Sequence, residues 1–198
     1  MTFPFHKLLT LIKHPHKAIE KYFRIFVLKQ ILPLYGENYD ECWGFISYRD
    51  KIVLDLGADY GSTAYYFLKK GAKKVIAVEG NSEYFKQLLS NYGNDDRVVC
   101  VEKWIETPED MEQLVARFPC DIVKVDIEGA EIHIAKISPQ VLSLSKKWII
   151  ETHSKLVFNT LSSFFCSLNF KIFSINYDLK GVFKILLAIQ QKNVNFLR

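Results

Sequence analysis

Four cysteines (Cys42, Cys100, Cys120 and Cys166) are scattered through 198 residues, and none stands in a C-x-x-C pair. That spacing argues against a zinc site and against a disulfide framework, so reduced, buried thiols are expected. No uninterrupted apolar run approaches the ~20 residues of a membrane span. Lys7, Lys13 and three histidines interrupt the place where a signal-peptide core would have to lie, so a cytoplasmic location is expected. The chain also lacks internal repeats and low-complexity linkers. Strong charge is missing too: the net formal charge is +4, and apolar residues make up 49%.

The small positive charge is unevenly spread. Lys7, Lys13, Lys17, Lys21, Arg24 and Lys29 face one acid, Glu20, before Ile31, and the remainder is close to neutral. Leu8, Leu9, Leu11, Ile12, then Ile19, Tyr22, Phe23, Ile25 and Phe26 recur at helical spacing, punctuated by Pro15 and Pro33. Residues 1–45 therefore form an expected basic helical segment, and residues 46–198 the main domain. The preferred role of the front is a lid packed on the domain and completing its pocket. Contact with an anionic membrane surface and a homodimer interface are the alternatives.

From about residue 50 short β-branched runs alternate with helical spacing. Strands are expected at 51–56, 74–79, 97–102, 121–126 and 147–152, and helices at 62–70, 82–92, 108–118, 130–144 and 155–167. Such alternation implies a parallel sheet covered on both faces. Two last strands, 170–177 and 182–190, flank Asp178-Leu-Lys-Gly181 and should pair as an antiparallel hairpin at the sheet edge. The fold class is α/β, with a seven-stranded, mostly parallel sheet.

The first strand runs Lys51-Ile-Val-Leu-Asp-Leu-Gly-Ala-Asp-Tyr-Gly-Ser-Thr. Gly57 permits a sharp turn and close approach of a ligand, while Gly61 starts a helix tight against the strand, with Ser62 or Thr63 as a cap. A dinucleotide fingerprint needs G-x-G-x-x-G, which this turn does not supply. Asp55 precedes the first glycine and would repel a pyrophosphate, whereas S-adenosylmethionine (SAM) carries a sulfonium and an ammonium. SAM is the expected cofactor, held by Asp55, Gly57, Ala58, Asp59 and Gly61. Glu79 and Gly80 follow at the end of the second strand, 22 positions after Gly57 in the case of Glu79. An acid there can accept both hydroxyls of a ribose. Trp104, after the third strand, is expected either against the adenine or in the core under the next helix.

Asp121-Ile-Val-Lys-Val-Asp-Ile-Glu-Gly-Ala-Glu131 crowds Lys124, Asp126, Glu128 and Glu131 at the carboxyl end of the fourth strand. Buried charges need partners or a ligand, and ligands bind at that end of open α/β sheets. Lys124 could also serve only in a structural ion pair. Asp126, Glu128 and His153 could share a metal ion, but no close ligand spacing in the sequence supports one, and no metal is expected.

The succession of five strand-helix units and a hairpin is similar to the class I SAM methyltransferases. The fourth-strand run resembles the FkbM-type methyltransferases, whose pattern is D-x-x-K-x-D-[IV]-E-G-x-E, at Asp121, Lys124, Asp126, Glu128, Gly129 and Glu131. The cofactor turn resembles the same family, with Asp59 in place of its asparagine and Gly80 in place of the proline that follows its second strand. The resemblance spans about 51–154 and says nothing of the front segment. It implies SAM-dependent methylation of a hydroxyl on a sugar or small metabolite. Asp126 is the first candidate general base and also borders the cofactor, His153 is the second, and Lys124 belongs to the same catalytic group. Glu128 and Glu131 are expected to contact the substrate. A methyltransferase whose basic front grips RNA, or which acts on protein, is a second reading. A non-catalytic SAM-binding protein is a third, which the intact carboxylate cluster disfavours.

Overall fold

The computed structural model describes residues 39–176 and 184–190. The front segment up to residue 38 and the turn of the C-terminal hairpin therefore lie outside the described residues. Seven strands form one sheet in the order β3-β2-β1-β4-β5-β7-β6. They are β1 (Ile52–Leu56), β2 (Lys74–Glu79), β3 (Val98–Glu102), β4 (Ile122–Val125), β5 (Lys147–Thr152), β6 (Phe170–Asn176) and β7 (Lys184–Gln190). The first five pair in parallel, and β7 pairs antiparallel to both β5 and β6. The expected α/β class and mixed seven-stranded sheet are both found.

The α-helices are α1 (Tyr39–Cys42), α2 (Ser62–Lys69), α3 (Ser82–Tyr92), α4 (Pro108–Arg117), α5 (Pro139–Leu142) and α6 (Lys155–Ser167). One face of the sheet packs Leu54, Val123 and Ile150 against Met111, Leu114 and Phe165 of α4 and α6. The opposite face packs Val53, Val75 and Ile149 against Trp43, Phe67 and Leu88. Central strands covered on both faces read as continuous apolar runs, which is why β1, β2 and β4 were visible in the sequence.

Two details differ from the sequence expectations. The segment expected as one helix over 130–144 is a 3-10 helix, Ala130–Lys136, followed by the single turn α5. Ile137 and Ser138 are extended between them, and for Ser138 the reason is that α-helical dihedrals are disfavoured directly before Pro139. Residues 39–45, assigned to the front segment, pack into the domain: Cys42 and Trp43 are buried in the core with Tyr48 and Phe67. No helix among the described residues is long and apolar enough to cross a membrane.

The sheet order reverses between β1 and β4, and the loops that leave their carboxyl ends diverge to opposite faces. That divergence opens a crevice at the switch point, the usual ligand position in such sheets.

Candidate active site

A cavity of about 440 Å³ occupies the crevice, lined from the loops after β1, β2, β3 and β4. Gly57 and Gly61 adopt φ of +81° and +90°, values open to glycine and costly for other residues. A Cβ on Gly57 would lie 1.8 Å from the Asp126 carbonyl oxygen, so the β1 and β4 loops can touch only because that position is glycine. Gly57 and Ala58 both donate backbone N–H groups to the Val78 carbonyl. These bonds fix the turn against the end of β2.

The helix behind this turn is capped differently from the sequence expectation. Gly61 itself is the N-cap of α2, and no side chain caps the helix. Thr63 points the other way and donates to Asp55 Oδ2 at 2.5 Å. The Ser62 hydroxyl is buried with no partner, and so is Asp59 Oδ1. Both residues line the cavity. Two orphaned polar groups beside uncapped helix amides need a bound polar partner.

Glu79 also lines the cavity, as expected. Its carboxylate accepts the Asp59 N–H at 2.8 Å and the Asn81 N–H at 2.7 Å. Each oxygen retains lone-pair capacity for a further donor, as a ribose diol supplies. Trp104 is 61% exposed and lies on Gly80, where a Cβ would come 2.6 Å from the indole. It is a wall of the cavity, which removes the core alternative and leaves an aromatic face open for stacking.

Asp55 does not reach the cavity. It lies fully buried in register with Lys124 on the neighbouring strand, within an apolar row bounded by Ala77 and Ile149. The Lys124 ammonium sits 3.1 Å from Asp55 Oδ1 and 3.7 Å from Asp126 Oδ2, and donates to the Gly57 carbonyl at 2.7 Å. It also lies 5.5 Å from the ring of Trp43. Burial alone would lower the Lys124 pKa, but the Asp55 and Asp126 carboxylates reverse that effect and hold the ammonium charged. The pair is a buried strut under both loops. The charge of Asp55 is spent on Lys124, so the electrostatic argument that distinguished SAM from a dinucleotide does not act through this carboxylate directly.

The β4 loop is bent around Glu131. Glu128 (φ 53°) and Gly129 (φ +106°) are consecutive left-handed residues, an uncommon conformation that the surroundings must hold in place. Glu131 is fully buried and accepts the Ile127 N–H at 3.2 Å and the Gly129 N–H at 3.0 Å. Its Oε1 lies 2.9 Å from His153 Nδ1. The expected substrate contact by Glu131 is therefore corrected: its side chain has no surface to offer, and it pins the loop to the end of β5. Glu128, by contrast, is 87% exposed in its side chain at the cavity mouth.

His153 Nε2 faces Asp126 at 3.7 Å, Glu128 at 3.6 Å and Glu151 at 4.0 Å. The hydrogen bond it donates to Glu131 and the surrounding carboxylates raise its pKa to about 9 against the opposing effect of burial. The structure thus brings Asp126, Glu128 and His153 together. Ligand atoms from the three lie within 4.8 Å of one another.

Tyr39 and Trp43, which line the cavity before β1, were not singled out in the sequence. Their aromatic pattern merges with the helical stripe of the front segment, so no local signal separates them from it.

A family model described as FtsJ-like methyltransferase matches residues 37–186. Uncharacterized protein 65 of a Sulfolobus islandicus filamentous virus is 26% identical over 122 residues, covering 60% of this chain and 70% of that protein. Some curated relatives are much longer than the match: the chain spans 12% of the histone-arginine methyltransferase CARMER of Anopheles gambiae, at 34% identity over 74 residues. Among solved structures, Aeropyrum pernix fibrillarin with natively bound SAM is similar at a TM-score of 0.55 and 15% identity, over 71% of this chain and 67% of that one. The Methanococcus jannaschii fibrillarin pre-rRNA processing protein reaches 0.59 at 16% identity, over 83% and 84%. These structural likenesses carry the fold alone; the family match covers most of the chain and agrees with the orphaned polar groups, the Glu79 carboxylate and the open indole of the cavity. The chain belongs to the FtsJ-like methyltransferases and is a SAM-dependent methyltransferase.

Proposed function

We propose that the chain transfers the methyl group of SAM to a hydroxyl oxygen of a small polyol or glycan acceptor. The observation that carries this reading is the position of Asp126, a carboxylate at the end of the central strand that lines the cavity beside His153. SAM supplies an electrophilic methyl carbon on a sulfonium. Glu79 accepts the ribose hydroxyls, and Trp104 covers the adenine. Ser62 and the α2 amides meet the amino-acid carboxylate, and Asp59 meets its ammonium. Lys124 holds Gly57 and Asp126 in fixed relation, which makes it a positioning residue. Asp126 accepts the hydroxyl proton as the oxygen lone pair forms the new C–O bond and the C–S bond breaks. In-line displacement depends mainly on such positioning. His153 stands beside this carboxylate, with Nε2 3.7 Å from Asp126 Oδ1, and borders the acceptor.

The fourth-strand run that resembles the FkbM-type methyltransferases supports a hydroxyl acceptor. The acidic mouth formed by Asp126 and Glu128 favours an acceptor without phosphates. A second reading is methylation of RNA. The family match and the likeness to a pre-rRNA processing protein favour it, as do the six basic side chains before Ile31.

Transfer from SAM carrying a labelled methyl group, tested on polyols and glycans, tRNA and rRNA transcripts and protein extract, separates these readings. The expected outcome is label in the hydroxylated small-molecule or glycan fraction, lost in Asp126→Asn while SAM is still bound. Label confined to RNA or protein would overturn the preferred acceptor.

A further inference from the structure

We infer that Asp126, Glu128 and His153 form a divalent cation site at the acceptor side of the cavity, with one imidazole nitrogen and two carboxylate oxygens as protein ligands. Donors bonded to an ion at about 2.0–2.2 Å lie roughly 3.3–3.6 Å apart in a tetrahedral arrangement. His153 Nε2 stands 3.6 Å from Glu128 Oε2 and 3.7 Å from Asp126 Oδ1. All three ligand atoms fall within 4.8 Å of one another, so closing the set needs only a small movement of the exposed Glu128 side chain.

A group of acids alone would not make such a site, and here a second feature points the same way. Glu131, with no side-chain exposure, engages His153 Nδ1 through Oε1. A buried carboxylate on one ring nitrogen fixes the imidazole and directs the other nitrogen outward, as in carboxylate–histidine–metal arrangements. The second oxygen of Glu131, Oε2, is buried without a partner in the same cluster. Four carboxylates (Asp126, Glu128, Glu131 and Glu151) lie around one imidazole, and Lys124, already bridging Asp55 and Asp126, touches the group at Asp126. Left-handed backbone at Glu128 and Gly129 is what swings the Glu128 carboxylate toward β5. The surplus negative charge is what a cation would balance.

One nitrogen with two carboxylate oxygens suits borderline divalent ions such as Mn²⁺, Co²⁺ or Zn²⁺ better than Mg²⁺, which prefers an all-oxygen shell. With three protein ligands, three of six or one of four coordination positions would remain for acceptor and solvent. An ion there draws electron density from a bound hydroxyl and lowers its pKa, and the Asp126 oxygen that does not bind the ion remains to take the proton. That consequence rests on the hydroxyl-acceptor reading above; cation binding does not.

The test therefore reads binding without any acceptor. The full chain, stripped with a chelator, is titrated with MnCl₂ by electron paramagnetic resonance of the free ion, and with CoCl₂ and ZnCl₂ by calorimetry. SAM affinity is measured in parallel. One saturable site per chain is expected, weakened at least tenfold in His153→Ala and in Glu128→Gln. Glu131→Gln should weaken it about tenfold by loosening the imidazole. SAM affinity should persist in Glu128→Gln, whose exposed side chain is no part of the core, and this separates failure of the cation site from failure of the cofactor site. No saturable binding of any of the three ions would overturn the inference. So would wild-type affinity in both His153→Ala and Glu128→Gln.

Discussion

The two halves of the cavity are built on opposite electrostatic plans. On the β1–β3 side, Glu79 takes two backbone N–H groups, and the polar atoms left over include the Ser62 hydroxyl and one oxygen of Asp59. On the β4–β5 side, four carboxylates crowd one imidazole, although Glu131 also takes two backbone N–H groups and Asp126 faces Lys124. The first half is preformed for a ligand with many hydrogen-bonding groups. The second is held in a left-handed loop and carries excess negative charge. Preorganisation on one side and charge imbalance on the other are what a two-substrate transfer site requires, because the cofactor is constant and the acceptor side must change its charge during reaction.

The seam between the halves gives the largest expected effect. Gly57→Ala places a Cβ 1.8 Å from the Asp126 carbonyl at a φ of +81°, and backbone cannot move aside cheaply. A loss of roughly 3 kcal/mol or more is expected in urea unfolding, together with loss of SAM binding. Gly129→Ala is the sharpening control. Its φ is +106° but nothing lies within 4 Å of the added carbon, so strain alone acts and about 1–2 kcal/mol is expected. Equal effects would show that dihedral strain, and not contact between the two loops, governs Gly57.

Lys124 is shared by both halves. Lys124→Met leaves Asp55 buried beside Asp126 without its cation, and a destabilisation of about 3–5 kcal/mol is expected from thermal or urea unfolding. Adding Asp55→Asn should restore part of that loss, because the remaining uncompensated charge is removed. No recovery in the double variant would mean that Lys124 serves Asp126 and the acceptor side alone.

The sequence made these halves legible to different degrees. β2, β5, α3 and α6 have the boundaries expected from it, because buried parallel strands and amphipathic helices leave strong periodic patterns. Glu79 and Gly57 were also legible, being defined by position relative to strand ends. Asp126, Glu128 and His153 could be named together from the sequence, but nothing there supported their meeting: Glu128 and His153 lie 25 positions apart, and only the adjacency of β4 and β5 joins them. Burial was equally hidden. Asp55 and Glu131 read as ligand-facing acids, yet the alternation of β1 turns Asp55 under the sheet toward Lys124, and the tight 3-10 turn folds Glu131 inward. Short-range pattern reveals which residues are near strand ends, while long-range register decides which of them see the cavity.

A smaller effect probes the cofactor side alone. Trp104→Ala removes an exposed ring and should leave stability within about 0.5 kcal/mol. SAM affinity should fall by about 1–3 kcal/mol, the usual range for stacking of a base on an aromatic side chain. Calorimetry with adenosine and with SAM would check it, since both ligands should lose affinity alike if the indole meets the adenine.

The smallest expected effect concerns Asp59, the one place where the cofactor side carries an imbalance of its own. Burial first, and the neighbouring Glu79 carboxylate second, raise its pKa from 3.8 to about 7. The unfolded chain releases this proton first as pH rises, so the folded state loses stability between about pH 4 and pH 7. Solvent screening at a half-buried position limits the loss to roughly 1 kcal/mol, or about 2–4 °C in melting temperature. Asp59→Asn stays neutral throughout and should show a correspondingly flatter stability profile over that window. SAM reverses the balance if its ammonium meets Asp59, because a bound cation favours the ionised carboxylate. Wild-type affinity should then rise from pH 6 to pH 8 relative to Asp59→Asn in calorimetry. An identical pH dependence in the two proteins would place the ammonium elsewhere and leave Ser62 and the α2 amides as the contacts to that end of the cofactor.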